Sequence, residues 1–304
     1  MTKANSATIN TPAWLDRAEY PFTSRFFNTP SGRMHYLDEG RGETLIFVHG
    51  NPSWSFEYRE LISHFRKTHR CVAPDHIGFG LSDKPYDKSY LPQFHVENLN
   101  LLLSSLDIDQ ATLIMHDWGG PIGMSWALDN PERVSRLVVC NSWFWSVRDH
   151  RPMRLFSKLA GGPLGRFLCR YFNFFPRVLM PASFGDKARL TPVARHHFLA
   201  PFPTPRSRKG TWVFPRAIVG QSDWLEAQWR RRAPLSDLPL LLLWGMKDAG
   251  LSEALLTKWE EAFPRHSTER CADVGHNVPE ELGDRAIAPI ERFLTANPIK
   301  GAGL

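Results

Sequence analysis

The run Ile114-Met115-His116-Asp117-Trp118-Gly119-Gly120 sets a carboxylate where an apolar strand should turn abruptly into a helix, with an indole N–H beside it. A carboxylate at such a turn is exposed to attack carbon, and the glycines let the following helix close against the sheet. Two further groups complete the set: Asp248 in Gly245-Met246-Lys247-Asp248 and His276 in Val274-Gly275-His276, each just past a strand-like run. Singly, each has an ordinary use: Asp117 as a helix cap, Asp248 as a turn residue, His276 as a loop residue. Their occurrence at three strand ends, in the order nucleophile, acid, histidine, points to catalysis instead.

A carboxylate that displaces a leaving group from saturated carbon becomes an alkyl ester, which water must then hydrolyse. His276 would activate that water, while Asp248 on the other ring nitrogen would fix the tautomer. The backbone N–H groups of Asn51 and Trp118 are placed to receive the oxyanion formed on hydrolysis. The Trp118 indole and the Asn51 amide are neutral donors, suited to a weakly hydrated departing halide ion.

Two decoys fall away. Gly123-Met124-Ser125-Trp126-Ala127 imitates a serine-nucleophile motif but lies inside the helix after the turn, so Ser125 and Trp126 are expected to pack. His196 and His197 are adjacent, and successive helical side chains diverge by about 100°, which is poor geometry for sharing a metal. No metal site and no cofactor are expected.

The elements that must position these groups are short β-type runs alternating with helical patterns. Strands are expected at Met34–Leu37, Leu45–His49, Cys71–Pro74, Ala111–Met115, Arg136–Cys140, Leu240–Trp244 and Thr268–Cys271. Covering helices are expected at Leu91–Leu106, Gly120–Leu128, Glu253–Phe263 and Glu280–Leu294. Such alternation predicts an α/β fold with a mostly parallel sheet covered on both faces, whose ligands bind at the carboxyl ends of its strands. Between Cys140 and Leu240 the strand rhythm stops, and the segment is rich in Phe, Arg, Pro and Trp. The economical reading is a core of residues 1–145 and 234–304 with a mainly helical cap, 146–233, inserted between its two parts.

The 304 residues suffice for one such core. No apolar run reaches the length of a membrane span, and the first thirty residues lack a signal-peptide core. Cys71, Cys140, Cys169 and Cys271 are scattered, as buried reduced thiols would be, so a cytoplasmic location is expected. The net charge of +6 is uneven, because residues 146–233 hold seventeen Lys/Arg against four Asp/Glu. No nucleic-acid-binding motif accompanies that charge. Its first reading is a solvated surface; the crowding of Phe167, Phe172, Phe174, Phe175 and Leu179 among Arg166, Arg170 and Arg177 also suits weak membrane association or a homo-oligomer.

His-Gly-Asn-Pro-Ser-Trp-Ser-Phe at 49–56, His-Asp-Trp-Gly-Gly at 116–120 and Asp-His-Ile-Gly-Phe-Gly-Leu-Ser-Asp at 75–83 together resemble the haloalkane dehalogenases of the α/β-hydrolase superfamily. The resemblance covers the core; the cap matches only in position and composition. It implies Asp117 as nucleophile, His276 as base, Asp248 as acid, and Asn51 with Trp118 as halide holders. One branch takes its acid as glutamate after the sixth strand, where this chain has Asn141 beside Ser142. The late aspartate and the Asn–Trp pair resemble the third subfamily. Another branch adds a cap tryptophan to the halide site, which leaves Trp143, Trp145, Trp212, Trp224 and Trp229 as open candidates.

The expected reaction is therefore hydrolysis of a small haloalkane by water to alcohol, halide and proton through an aspartyl ester. Epoxide hydrolases share the nucleophile, but they protonate an alkoxide with two cap tyrosines, and this cap has only Tyr171. Fluoroacetate dehalogenases carry arginines near the nucleophile, whereas Trp118 follows Asp117 here. A non-catalytic receptor on the same fold remains the non-enzyme alternative, poorly served by an intact triad.

Overall fold

The computed structural model describes residues 12–299. The expected lack of an export core therefore falls partly, at 1–11, outside the described residues.

Eight strands form one sheet. In chain order they are β1 (Arg25–Thr29), β2 (Gly32–Glu39), β3 (Thr44–Val48), β4 (Arg70–Pro74), β5 (Ala111–Asp117), β6 (Val134–Ser142), β7 (Leu240–Gly245) and β8 (His266–Cys271). Their spatial order is β1-β2-β4-β3-β5-β6-β7-β8. β2 runs antiparallel to both neighbours, and every other pairing from β4 to β8 is parallel. A mostly parallel sheet needs crossover helices on both faces, and its strands are consequently apolar on both sides.

The alternation of side chains sorts those apolar residues by face. Ile46, Val48, Leu113, Met115, Leu137, Val139, Leu240 and Leu242 enter one core; Leu45, Phe47, Ile114, Val138, Cys140, Leu241 and Leu243 enter the other. The helices of the core are α1 (Arg59–Phe65), α2 (Pro92–Ser104) and α3 (Gly119–Asp129) before β6. Between β6 and β7 come α4 (Arg151–Ala160), α5 (Pro163–Phe172), α6 (Met180–Ala182), α7 (Pro192–Leu199), α8 (Lys209–Gly220) and α9 (Ser222–Arg230). α10 (Glu253–Ala262), α11 (Val278–Leu282) and α12 (Ile287–Ala296) follow β7. α2 and α3 cover the first core, with Leu99, Leu103 and Ile122; α1 and α12 cover the second, with Leu61, Ile62 and Ile290.

The seven expected strands all form. β1 was not anticipated, since Arg25–Thr29 lacks a continuous apolar run, and neither was the short α1. One expectation is corrected. The helix foreseen over Glu280–Leu294 breaks into α11, a 3-10 turn at Gly283–Ala286, and α12. Gly283 turns the chain at φ +53°, and a Cβ there would meet the Glu60 carboxylate.

The helices between β6 and β7, with the loops at the carboxyl ends of the strands, line a cavity of about 700 Å³, within the size range of small-molecule sites. No helix among the described residues is long and apolar enough to cross a membrane. All four cysteines are free thiols, three of them buried.

Candidate active site

Asp117 ends β5 with φ +49°, a left-handed backbone that costs most residues about 1–3 kcal/mol and that aspartate tolerates better than most. The turn is held from several sides. The Asn51 backbone N–H donates to Asp117 Oδ1 at 2.7 Å, and Ser142 Oγ donates to the Asp117 carbonyl at 2.5 Å. Gly50 passes so close that a Cβ there would run into the Asp117 carboxylate. Only glycine fits. The Asp117 side chain is 11 % exposed and lines the cavity.

His276, past β8, brings Nε2 to 3.6 Å from Asp117 Oδ2 and Nδ1 to 2.7 Å from Asp248 Oδ2. Burial disfavours its imidazolium, yet Asp248 and Asp117 outweigh that and hold its pKa well above the ordinary histidine value. Asp248, past β7, is pushed up by burial but held below the usual carboxylate range by His276, by the Asn141 amide and by the Leu251 N–H. Its Oδ1 accepts from Gly250 N at 2.8 Å and Leu251 N at 3.0 Å, and its Oδ2 from Asn141 Nδ2 at 2.9 Å.

Asn51, Asp117, Trp118, Asp248 and His276 all line the one cavity, so the five residues singled out from the sequence are brought together. Trp118 stacks on Phe214 with centroids 4.9 Å apart and meets the ring of Trp143 at 5.0 Å. Of the other tryptophans, Trp143 alone joins them in the cavity lining; Trp145 and Trp229 pack together at 4.9 Å, and Trp212 lies under the Arg166 guanidinium. Ser125 sits inside α3 and donates to the Pro121 carbonyl. Tyr171 stands on the outside of α5, half exposed, and no tyrosine is among the residues that line the cavity.

Several functional neighbours went unread in the sequence. Asn141 stood out there only for lacking a carboxylate, but its amide bridges Asp248 and the backbone N–H of Gly245 at 2.7 Å. Glu281 accepts from the N–H groups of Gly185, Asp186 and Gly275, tying the His276 loop to the cap. His116 reaches from the residue before Asp117 to the His276 carbonyl, with Glu57 on its other nitrogen. The signal available was an acid inside the aromatic-rich Trp54–Tyr58 run and a histidine in a fully buried strand. Among the described residues no group of three or more His, Cys, Asp or Glu could hold a metal ion.

The sequence profile of the α/β hydrolase fold matches residues 43–281. A cis-3-alkyl-4-alkyloxetan-2-one decarboxylase of Shewanella oneidensis is 37 % identical over 90 % of this chain and 89 % of its own. Haloalkane dehalogenase 2 of Mycobacterium tuberculosis is also 37 % identical, over 90 % of this chain and 96 % of its own. A crystal structure of a mutant of the haloalkane dehalogenase DatA from Agrobacterium tumefaciens superposes with a TM-score of 0.81 at 26 % identity, covering 92 % of this chain and all of that one. With its profile, its full-length relatives and its geometry in agreement, the chain belongs to the haloalkane dehalogenase family of the α/β hydrolase fold.

Proposed function

We propose that the chain hydrolyses haloalkanes with Asp117 as nucleophile, His276 as base, Asp248 as the acid that orients it, and Asn51 with Trp118 as the halide cradle. The observation that carries this reading is the relay Asp117–His276–Asp248 at 3.6 and 2.7 Å inside an apolar cavity. Asp117 Oδ2 attacks the carbon bearing halogen from behind, the carbon–halogen bond breaks, and the halide leaves into the indole and amide N–H groups. Neutral donors stabilise the developing charge and still release the ion. The ester then faces water, whose proton goes to His276 Nε2 as hydroxide adds to the ester carbon of Asp117. Collapse of that oxyanion expels the alkoxide, which takes the proton from His276 Nε2 and leaves as the alcohol, and the Asp117 carboxyl loses its proton to water to return as carboxylate.

Alkylation also prepares the second step. Asp117 is one of the two charges that raise the His276 pKa, and as an ester it is neutral. The ring therefore gives up its proton more readily when a base is needed. Segment 146–233 acts as the cap that shapes the cavity, and the free thiols fit a cytoplasmic enzyme.

A second reading rests on an equally strong likeness, that to the oxetanone decarboxylase. Asp117 would attack the lactone carbon that bears the ring oxygen, breaking that bond and freeing a carboxylate on the neighbouring carbon. Loss of carbon dioxide would then send its electron pair into a new carbon–carbon double bond and expel the Asp117 carboxylate. No water is consumed, so His276 has no proton to take.

Purified protein with 1-bromobutane or 1,2-dibromoethane should release bromide and acidify a weak buffer. Alkene and carbon dioxide from a cis-3,4-dialkyloxetanone, with no bromide from either haloalkane, would overturn the first reading in favour of the second. His276→Phe separates them further, since it should stop haloalkane turnover at the ester, after one halide is released, and spare the lactone.

A further inference from the structure

Eight of the nine large apolar side chains exposed among the described residues lie between Leu155 and Val193, on the cap. Leu155 and Leu159 are one turn apart on α4, 53 % and 64 % exposed, and they also line the cavity, which therefore reaches the surface between them. On α5, the next helix along, Leu164, Phe167 and Tyr171 follow at spacings of three and four and are 69 %, 50 % and 49 % exposed. Phe167 packs on both Tyr171 and Phe172, at 5.1 and 5.9 Å, so the aromatics form one cluster. A monomer rarely leaves so much apolar surface in water without a use for it.

The charge around this surface is of one sign. Residues 150–185 contain Arg151, Arg154, Lys158, Arg166, Arg170 and Arg177 and no Asp or Glu. None of the six pairs with a carboxylate among the described residues; Arg166 lies over the Trp212 ring instead, at 4.3 Å. Unneutralised cations beside exposed Leu and Phe are the pattern of a surface that lies in a membrane interface, the apolar groups entering the acyl boundary and the cations meeting anionic headgroups. A second copy fits poorly, because an isologous contact would set this unpaired positive charge against itself.

We propose that the α4–α5 face of the cap docks on an anionic lipid bilayer, with the cavity mouth at Leu155 and Leu159 turned toward the lipid so that apolar substrate enters from the membrane. The delivery half of this proposal rests on the reading of the cavity as a site for alkyl substrates; the docking half does not.

Flotation of the full chain with phosphatidylcholine vesicles, with and without phosphatidylglycerol, at low and high salt tests it. Binding should require phosphatidylglycerol and weaken at high salt, since roughly fivefold in affinity is carried by each Lys or Arg at the surface. Arg154→Gln with Lys158→Gln should lower affinity by about 25-fold on the same basis. Leu164→Asp with Phe167→Asp should lower it by about tenfold or more, while bromide release from 1-bromobutane dissolved in buffer stays unchanged, because neither residue lines the cavity. Wild type that releases bromide and fails to float overturns the docking, as does equal binding to neutral vesicles. Self-association abolished by the same two aspartates, with no flotation, would make the face an interface between copies and overturn it too. Wild type that floats and releases no bromide sinks the dehalogenase reading and leaves the docking standing.

Discussion

His116 Nε2 lies 2.8 Å from the backbone carbonyl oxygen of His276, so the residue before the proposed nucleophile holds the backbone of the proposed base. A carbonyl only accepts, hence Nε2 carries a proton. Nδ1 meets Glu57 Oε2 at 3.0 Å, and two lone pairs cannot face each other there. His116→Ala should slow ester hydrolysis by about 10- to 100-fold through a misplaced His276 ring, with the alkylation step far less affected. Glu57→Gln, with His116 intact, should retain most of the rate, because its amide can donate to neutral Nδ1. Single-turnover kinetics of the two variants measure both steps; equal loss in both would make the dyad merely structural.

His276→Phe should trap the intermediate. The relay places Nε2 beside Asp117 for the water step alone, so alkylation by 1-bromobutane proceeds and stops at the ester. Intact-protein mass spectrometry should show one added butyl group, absent from Asp117→Ala, which should be inactive in every assay.

Asn51→Ala removes the side-chain amide and keeps the backbone N–H that grips Asp117 Oδ1. The change therefore isolates the leaving-group donor from the positioning donor. Alkylation should slow by about 10²-fold or more, as when one oxyanion donor is lost, and hydrolysis of the ester should change little. Rapid-quench measurement of the first step decides it.

The raised pKa of His276 fixes the direction of a pH effect. A base works only when neutral, so hydrolysis should fall as pH drops through that pKa, and the midpoint for the alkylated enzyme should be lower than for the free enzyme. Asp248→Asn removes a charge that raises this pKa and should move the free-enzyme midpoint down. Imidazole NMR titration of the two proteins reads the shift; a midpoint unchanged or moved upward would contradict the electrostatics described here.

The sequence was most legible where chemistry and backbone coincide. Asp117 and Asp248 each follow a strand whose apolar run marks its end, and His276 follows the short run past β8 in the order a triad requires, so their convergence could be read from order. Asn141, Glu57 and Glu281 act through contacts made across 107, 59 and 96 residues, and nothing in their local spacing announces such partners. β1 escaped because its residues are half exposed and carry no apolar run, and the break at Gly283 escaped because apolar periodicity continues on either side of it. The leaving group was the least legible feature. A halide and a ring carboxylate both depart as anions from saturated carbon into neutral donors, so the same residues serve either.

The cap departs from the sheet after β6 and returns before β7, two adjacent parallel strands whose ends carry Asn141 and Asp248. Because the two strands are parallel, the segment leaves at their carboxyl ends and re-enters at their amino ends, and only its departure lies beside the Asn141–Asp248 hydrogen bond. The same segment holds the proposed base in place, since Ser183 accepts from the His276 N–H and Gly185 and Asp186 donate to Glu281, so a graft from a relative transfers part of the triad's scaffolding along with its substrate range.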